Sequence, residues 1–201
     1  LGDSVRYSVQ RSPLGSGHAL LSARDSLPGV GEVAVLSGDV PLVPSESLRQ
    51  MQSGHHSADA KVTLLTARVD DPFELGRIVR GRDGAVRAIV EHAVADAGTL
   101  AIDEINSGIY IFDADWLWNG LRDVSPSVSG EVYVTDLIEM AVKNGAPVAD
   151  VMAPNAIDVM GVNDRVQLAR AEATLRARIR ERWMLDGVTM PDPDAVYIDA
   201  A

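Results

Sequence analysis

The stretch Glu32 to Val43, EVAVLSGDVPLV, constrains the fold more than any other. Val33, Ala34, Val35 and Leu36 form an apolar run without alternation, the pattern of a strand buried on both faces of a parallel sheet. The run stops at a carboxylate. Gly38 allows close backbone approach and Pro41 has no ladder donor, so the spacing predicts a strand that ends near Asp39. That places the Asp39 side chain at the carboxyl edge of the sheet, where open α/β sheets bind ligands. Gly-Asp-x-Pro is also ordinary turn chemistry. The meaning of Asp39 therefore depends on the residues it meets.

The chain of 201 residues is 46% apolar but only 4% aromatic, so its core must be mainly Val, Leu, Ile and Ala, which suits helices packed on a sheet. It contains no cysteine, which excludes disulfides and thiolate metal sites and agrees with a cytoplasmic location. A net charge of −11 disfavours nucleic acid and anionic membrane surfaces as partners. A small phosphorylated substrate is admissible where a metal ion screens it. No run approaches the roughly 18 to 20 apolar residues that cross a bilayer. The chain opens at Leu1 in what reads as mid-strand and ends without a stop signal, so a piece of a longer protein is expected.

Taken in order, Tyr7 to Gln10 reads as a strand or strand end before the Arg11-Ser12-Pro13 turn. Gly15-Ser16-Gly17 precedes a helical pattern with Ala19, Leu20 and Ala23 on one face; Ser16 is the expected N-cap, and His18 a first-turn packing residue. A helix is expected from Ser45 to about Gln52, ending near Gly54, with His55 and His56 in a solvent-exposed loop. Lys61 to Val69 is a strand. Leu75 to Arg80 and Ala85 to His92 form an antiparallel hairpin about GRDG, with Glu91 near its end. Residues 93–101 form a loop able to cover a pocket.

Ile102 to Phe112 is again a strand, with Asn106 just before Ser107-Gly108. A short helix follows over Asp115 to Leu121, with Trp116 and Trp118 packing, and then a loop bounded by Pro126 and Gly130. An amphipathic helix runs from about Val134 to Asn144, closed by Gly145, and Pro147 to Met152 is a strand. Asn163-Asp164 caps a long helix, Arg165 to about Asp186, whose apolar stripe is Val166, Leu168, Ala169, Leu175, Ile179 and Met184. After Gly187, two prolines and alternating apolar residues announce a change of architecture.

Seven of these patches occur together and in order: QRSPLGSGHAL (10–20), VLSGDVPL (35–42), LGRIVR (75–80), IVEH (89–92), EINSGIYIF (104–112), GEVYVTDLIEMA (130–141) and GVNDRVQLARAE (161–172). Together they closely resemble the bacterial bifunctional N-acetylglucosamine-1-phosphate uridylyltransferase / glucosamine-1-phosphate N-acetyltransferase family. The resemblance implies an α/β fold: a Rossmann-like nucleotide-diphospho-sugar transferase domain with a mixed sheet over residues 1–162, a linker helix over 163–186, and the opening of a left-handed parallel β-helix over 187–201. It also implies a glycine-rich phosphate-binding loop ahead of Leu1, and a homotrimer of the full-length protein through the β-helix, with this stretch alone monomeric.

By position, the resemblance assigns Gln10, Gly15 and Ser16 to uridine, Ser16 standing where a Thr is more usual. Ser37, Gly38 and Asp39 match a Tyr-Gly-Asp motif, with Ser37 lacking the aromatic ring. Gly76, Glu91 and Asn106 match positions that contact N-acetylglucosamine, and Asn163 the Asn that joins Asp39 in holding Mg2+. Ala93 replaces a Lys frequent after the Glu-His pair. The implied reaction joins UTP and N-acetylglucosamine 1-phosphate into UDP-N-acetylglucosamine. Mg2+ suits the residue types, because it takes few protein oxygens and fills its shell with phosphate and water. Two rival readings are another sugar-1-phosphate nucleotidylyltransferase and a catalytically silent sugar-nucleotide-binding module.

Overall fold

The computed structural model describes residues 5–124 and 130–199; Pro126 of the predicted loop lies outside them. The elements are α1 (Ser16–Ala23), β1 (Glu32–Val35), α2 (Ser45–Ser57), β2 (Val62–Arg68), β3 (Arg77–Arg80), β4 (Val86–Val90), α3 (Ala97–Leu100), β5 (Glu104–Asp113), α4 (Ala114–Asp123), α5 (Thr135–Lys143), β6 (Val148–Met152) and α6 (Arg165–Leu185). Short 3-10 turns cover Arg24–Ser26, His92–Val94, Ala156–Val159 and Pro193–Ala195. None of the described helices is long and apolar enough to cross a membrane.

The sheet is organised on β2 and β5 rather than on β1. Strand order is β4-β3-β5-β2-β6, with β1 added to β5. Among the described strands β2 and β6 run parallel and the other pairs are antiparallel. This corrects the expectation of a doubly buried parallel strand at Val33 to Leu36. β1 has four residues, of which only Val33 is buried, while Ala34 and Leu36 face solvent. A short apolar run records composition, not how many neighbours a strand has. The doubly buried strand is β2, from Val62 to Ala67.

Strand periodicity then builds two cores. Val62 and Leu64 of β2 with Tyr110 and Phe112 of β5 point to one face, against Leu117 and Leu121 of α4 and Leu137 and Ile138 of α5. Leu65 and Ala67 with Ile105, Ile109 and Ile111 point to the other, against Met51 of α2 and Val159. Phe112 stacks near-parallel on Trp116 at 6.3 Å, which gives that tryptophan its packing role.

The expected helices and the hairpin form, with instructive departures. α2 continues through Gly54, because Ser47, Met51 and His55 recur every fourth residue and bury one stripe. His55 is therefore buried, its Nδ1 2.8 Å from Thr63 Oγ1, and burial lowers its pKa; His56 is exposed and pairs with Glu32. Tyr7 to Gln10 forms no strand. α6 carries a capping box between Asp164 and Gln167, yet its predicted stripe is largely solvated and only Ala171 is buried. Helical spacing defines a face; it does not supply the surface that covers it. Past Gly187 the described chain turns back on α6, with Asp194 2.8 Å from Arg180 and Tyr197 under the Arg176 guanidinium at 4.2 Å.

At the end of β3, Arg80 forks between Glu104 of β5 (2.6 and 2.9 Å) and Asp150 of β6 (2.6 and 3.1 Å). Burial alone would raise the Glu104 pKa, but the Arg80 hydrogen bonds reverse it and hold the carboxyl below its ordinary 4.5. A folded pKa below the unfolded value means that the pairing stabilises fully above pH 4.5 and is lost as pH falls through the folded value. Glu104→Gln should lower the urea midpoint at about pH 7, and the gap to the parent should narrow progressively as the pH falls below 4.5. An undiminished gap in acid would assign the loss to packing.

Candidate active site

The turn after β1 carries Ser37, Gly38 and Asp39. Its closure is local, Val40 N–H donating to the Ser37 carbonyl at 3.3 Å, and leaves Asp39 exposed at the sheet edge. Gly38 makes no close approach, since a side chain there would meet open space. The segment leading into α6 arrives beside this turn: Val162 N–H donates to the Asp39 carbonyl at 2.8 Å. A Cβ on Gly161 would lie 3.3 Å from Asp39 Oδ2 and 3.7 Å from Asn163 Nδ2. The carboxylate and the amide thus flank one small space that Gly161 keeps open. Asn163 is fixed from behind, where Gln167 Oε1, which accepts the Asp164 N–H in the α6 capping box at 3.2 Å, also accepts the Asn163 backbone N–H at 2.6 Å.

The opposite wall comes from an irregularity in β5. Between Asn106 and Tyr110 the register against β2 slips around Leu65. Ser107 supports this bulge by donating from Oγ to the Leu65 carbonyl at 2.6 Å and accepting from Ile109 N–H at 3.2 Å. Gly108 sits at φ +75°, and a side chain on it would reach within 2.9 Å of Ser37 Oγ. Asn106 is oriented from two sides: Oδ1 accepts from Gly108 N–H (3.2 Å) and the Tyr110 hydroxyl (2.9 Å), while Nδ2 lies 2.7 Å from that hydroxyl. Burial raises the Tyr110 pKa well above the usual phenol value, outweighing the lowering from Asn106, so the hydroxyl stays protonated. Asn106 N–H also donates to the Gly76 carbonyl at 2.9 Å, and a Cβ on Gly76 would lie 3.2 Å from Glu91 Oε2.

These walls enclose a cavity of about 540 Å³ lined by Ser37, Asp39, Gly76, Glu91, Asn106 and Asn163. Phe73, Gly108, Gly161 and Gln167 also line it and were not anticipated from sequence. Phe73 belongs to the loop before β3 and holds φ +43°, a conformation that costs a bulky residue about 1–3 kcal/mol. Buried Arg77 holds that loop, its guanidinium donating to the carbonyls of Phe73 (3.1 Å), Pro72 (3.4 Å) and Leu75. The glycines and the DDP turn were the available signals.

Gln10, Gly15 and Ser16 form a separate cluster and do not line this cavity. Gly15 itself occupies the N-cap of α1, in place of the expected Ser16. Ser16 Oγ instead accepts from Val134 N–H at 3.0 Å, because the segment 14–17 pairs with residues 132–134 and places that donor nearer than its own first turn. Gln10 Nε2 lies 3.1 Å from the Gly15 carbonyl, to which it donates, and 2.9 Å from His18 Nδ1.

Among the described residues, no group of three or more His, Cys, Asp or Glu side chains is placed to hold a metal. The Asp39–Asn163 pair is an oxygen donor set once the amide presents its carbonyl, and one carboxylate plus one amide fits a hard cation that keeps phosphate and water ligands. The cavity as a whole offers carboxylates, amides and bared backbone around a concave space, a shape suited to a polar, hydroxyl-rich ligand.

Comparison with known proteins locates this architecture. The chain is 46% identical over 200 residues to the bifunctional protein GlmU of Exiguobacterium sibiricum, covering 98% of this chain and 44% of that protein. It is 44% identical over 198 residues to the bifunctional protein GlmU of Trichlorobacter lovleyi, covering 98% and 43% respectively. The chain thus spans less than half the length of these curated relatives. In fold it is similar to a Bacillus anthracis protein described as a glucose-1-phosphate thymidylyltransferase and crystallised with sucrose, with a TM-score of 0.66 at 21% identity over 94% of this chain and 68% of that one. The nucleotidyl transferase family model matches residues 2–183, and the chain belongs to that family.

Proposed function

We propose that this chain carries the sugar-phosphate and metal subsites of a Mg2+-dependent uridylyltransferase that joins UTP to N-acetylglucosamine 1-phosphate, releasing pyrophosphate and UDP-N-acetylglucosamine for peptidoglycan and lipopolysaccharide precursors. The observation that carries the reading is the meeting of the Asp39 carboxylate and the Asn163 amide beside Gly161, in a cavity that also receives Glu91 and Asn106. Residues 1–162 form the transferase domain, 163–186 the linker helix and 187–201 the start of a β-helix. In the full-length protein that β-helix acetylates glucosamine 1-phosphate and forms the trimer.

Phosphoryl transfer of this kind needs no protein nucleophile; the chain contributes alignment and charge. Asp39 and Asn163 would hold Mg2+, which when bound neutralises phosphate charge as the sugar-phosphate oxygen displaces pyrophosphate from the α-phosphorus. Glu91 accepts hydrogen bonds from sugar hydroxyls. Asn106, oriented by Tyr110, addresses the acetamido group. Gln10, Gly15 and Ser16 take the uridine end.

The test is UTP turnover with N-acetylglucosamine 1-phosphate and Mg2+ in the protein at the full length of its relatives. Absence of turnover there would favour a silent binding module, and faster turnover with a different nucleotide or sugar phosphate would favour another sugar-1-phosphate nucleotidylyltransferase. A finer test is Asn106→Ala, which should weaken sugar-phosphate binding by about tenfold, one net hydrogen bond to a neutral partner, and leave UTP affinity within about twofold by calorimetry. Equal losses for both ligands would make Asn106 a support of the bulge alone.

A further inference from the structure

We propose that Arg178, in the middle of α6, is a positioning residue for the cation subsite: it clamps together the two chain segments that deliver Asp39 and Asn163. The inference rests on the reading of those two residues given above.

α6 is a 21-residue helix that buries only Ala171, so apolar packing does little to seat it. Polar contacts do the seating. Its first turn is closed by the Asp164–Gln167 capping box that also holds the Asn163 N–H. Further along, roughly 20 Å from the start at 1.5 Å per residue, Arg178 turns back to the domain. Its Nη1 donates to the Leu42 carbonyl at 2.8 Å, and its Nη2 bonds Asp158 Oδ1. Leu42 ends the segment that contains Asp39 and the cavity-lining Val40; Asp158 precedes Val159, Met160 and Gly161, which line the cavity and lead into Asn163.

Two hydrogen-bonded links therefore join the segments among the described residues, beside the packing of Val159 in one cluster with Val40 and Val43. At the cavity the bond is Val162 N–H to the Asp39 carbonyl, and away from it the bridge is a single planar guanidinium. The fork geometry matters, since one cation must satisfy a carbonyl and a carboxylate held by different stretches of chain, and an ammonium lacks that shape. Asp158 is buried, so removing Arg178 leaves its carboxylate without a cation and with the long 3.4 Å contact from Asn155 Nδ2, and the segment must move to bring it water. A shift there is carried five residues on to Asn163. Displacements near 1 Å at a reacting centre are costly.

Hydrogen exchange and metal dependence test this in the full-length protein. In Arg178→Ala, without metal, the Val162 amide should exchange roughly 2- to 30-fold faster, while the Phe112 amide in the sheet centre keeps the parental rate. The Mg2+ concentration for half-maximal turnover should rise by a similar factor, with kcat at saturating Mg2+ nearly restored. Arg178→Lys, which keeps the charge without the fork, should fall between parent and Ala, and it carries the test if the Ala variant does not fold. Lower thermal stability with Val162 exchange and Mg2+ half-saturation unchanged would overturn the proposal and leave Arg178 as a plain stabilising ion pair. Should the parent itself show no Mg2+-dependent turnover, the uridylyltransferase reading falls, while the exchange arm still decides whether the clamp exists.

Discussion

Asp39→Ala is expected to reduce Mg2+-dependent turnover by at least two to three orders of magnitude, on the order of what removing one preorganised electrostatic partner costs, while the fold survives. The two halves of that expectation come from different observations. The side chain is exposed at the turn after β1, so its loss should change stability by no more than about 0.5 kcal/mol. What ties the turn to the α6 segment is the backbone carbonyl of residue 39, accepting from Val162, and alanine keeps it. The carboxylate sits instead beside Gly161 and the Asn163 amide, where a cation would need its charge. Asp39→Asn separates charge from shape: it retains an oxygen at the same position, and should recover little activity if the cation needs the negative charge. Ordinary rates in Asp39→Ala, measured at saturating substrates and several Mg2+ concentrations, would remove this residue from the mechanism.

How much of this could be read from the residues depended on whether the deciding contact was local. The β3–β4 hairpin, the β2 and β5 strands and the α6 capping box follow from spacing, turn chemistry and caps within a few positions. The placement of β1 at the sheet margin does not, because Val33 to Leu36 look the same whether one or two strands flank them. His55 departs from the sequence expectation for a related reason: Gly54 is a frequent helix terminator, but the Ser47-Met51-His55 stripe buries against the sheet and carries the helix past it. Of the cavity lining, Asp39, Glu91 and Asn106 stand at motif positions that the sequence resemblance singles out. Phe73 and Gly161 were not, since their places depend on a buried arginine holding a loop and on two distant segments meeting. The Arg178 bridge links residues 136 positions apart to a backbone oxygen, and no sequence pattern marks a carbonyl as an acceptor for a remote guanidinium.

Gly15→Ala should produce the largest stability loss among single-methyl additions near the proposed nucleotide end. Gly15 holds φ +93° and ψ 172°, a region left almost entirely to glycine, at a cost of about 1–3 kcal/mol for any other residue. Space compounds the strain. The new Cβ would lie 2.4 Å from the Val132 carbonyl oxygen and 2.9 Å from its nitrogen, and these backbone atoms are already engaged: Val132 N–H donates to Leu14 and its carbonyl accepts from Gly17, at 2.9 and 2.8 Å. Overpacking of this kind adds about 1–3 kcal/mol, so a total of roughly 2–6 kcal/mol is expected, read as a lower urea midpoint at unchanged m. The displaced partner is the segment that leads into α5, and Ser16 holds it through the Val134 N–H. The damage should therefore centre on Gln10, Gly15 and Ser16 and spare the cavity around Asn106. UTP affinity should fall more than sugar-phosphate affinity, the reverse of Asn106→Ala. A variant that loses stability yet binds UTP as the parent does would make the 14–17 and 132–134 pairing a purely structural brace, with the uridine held elsewhere.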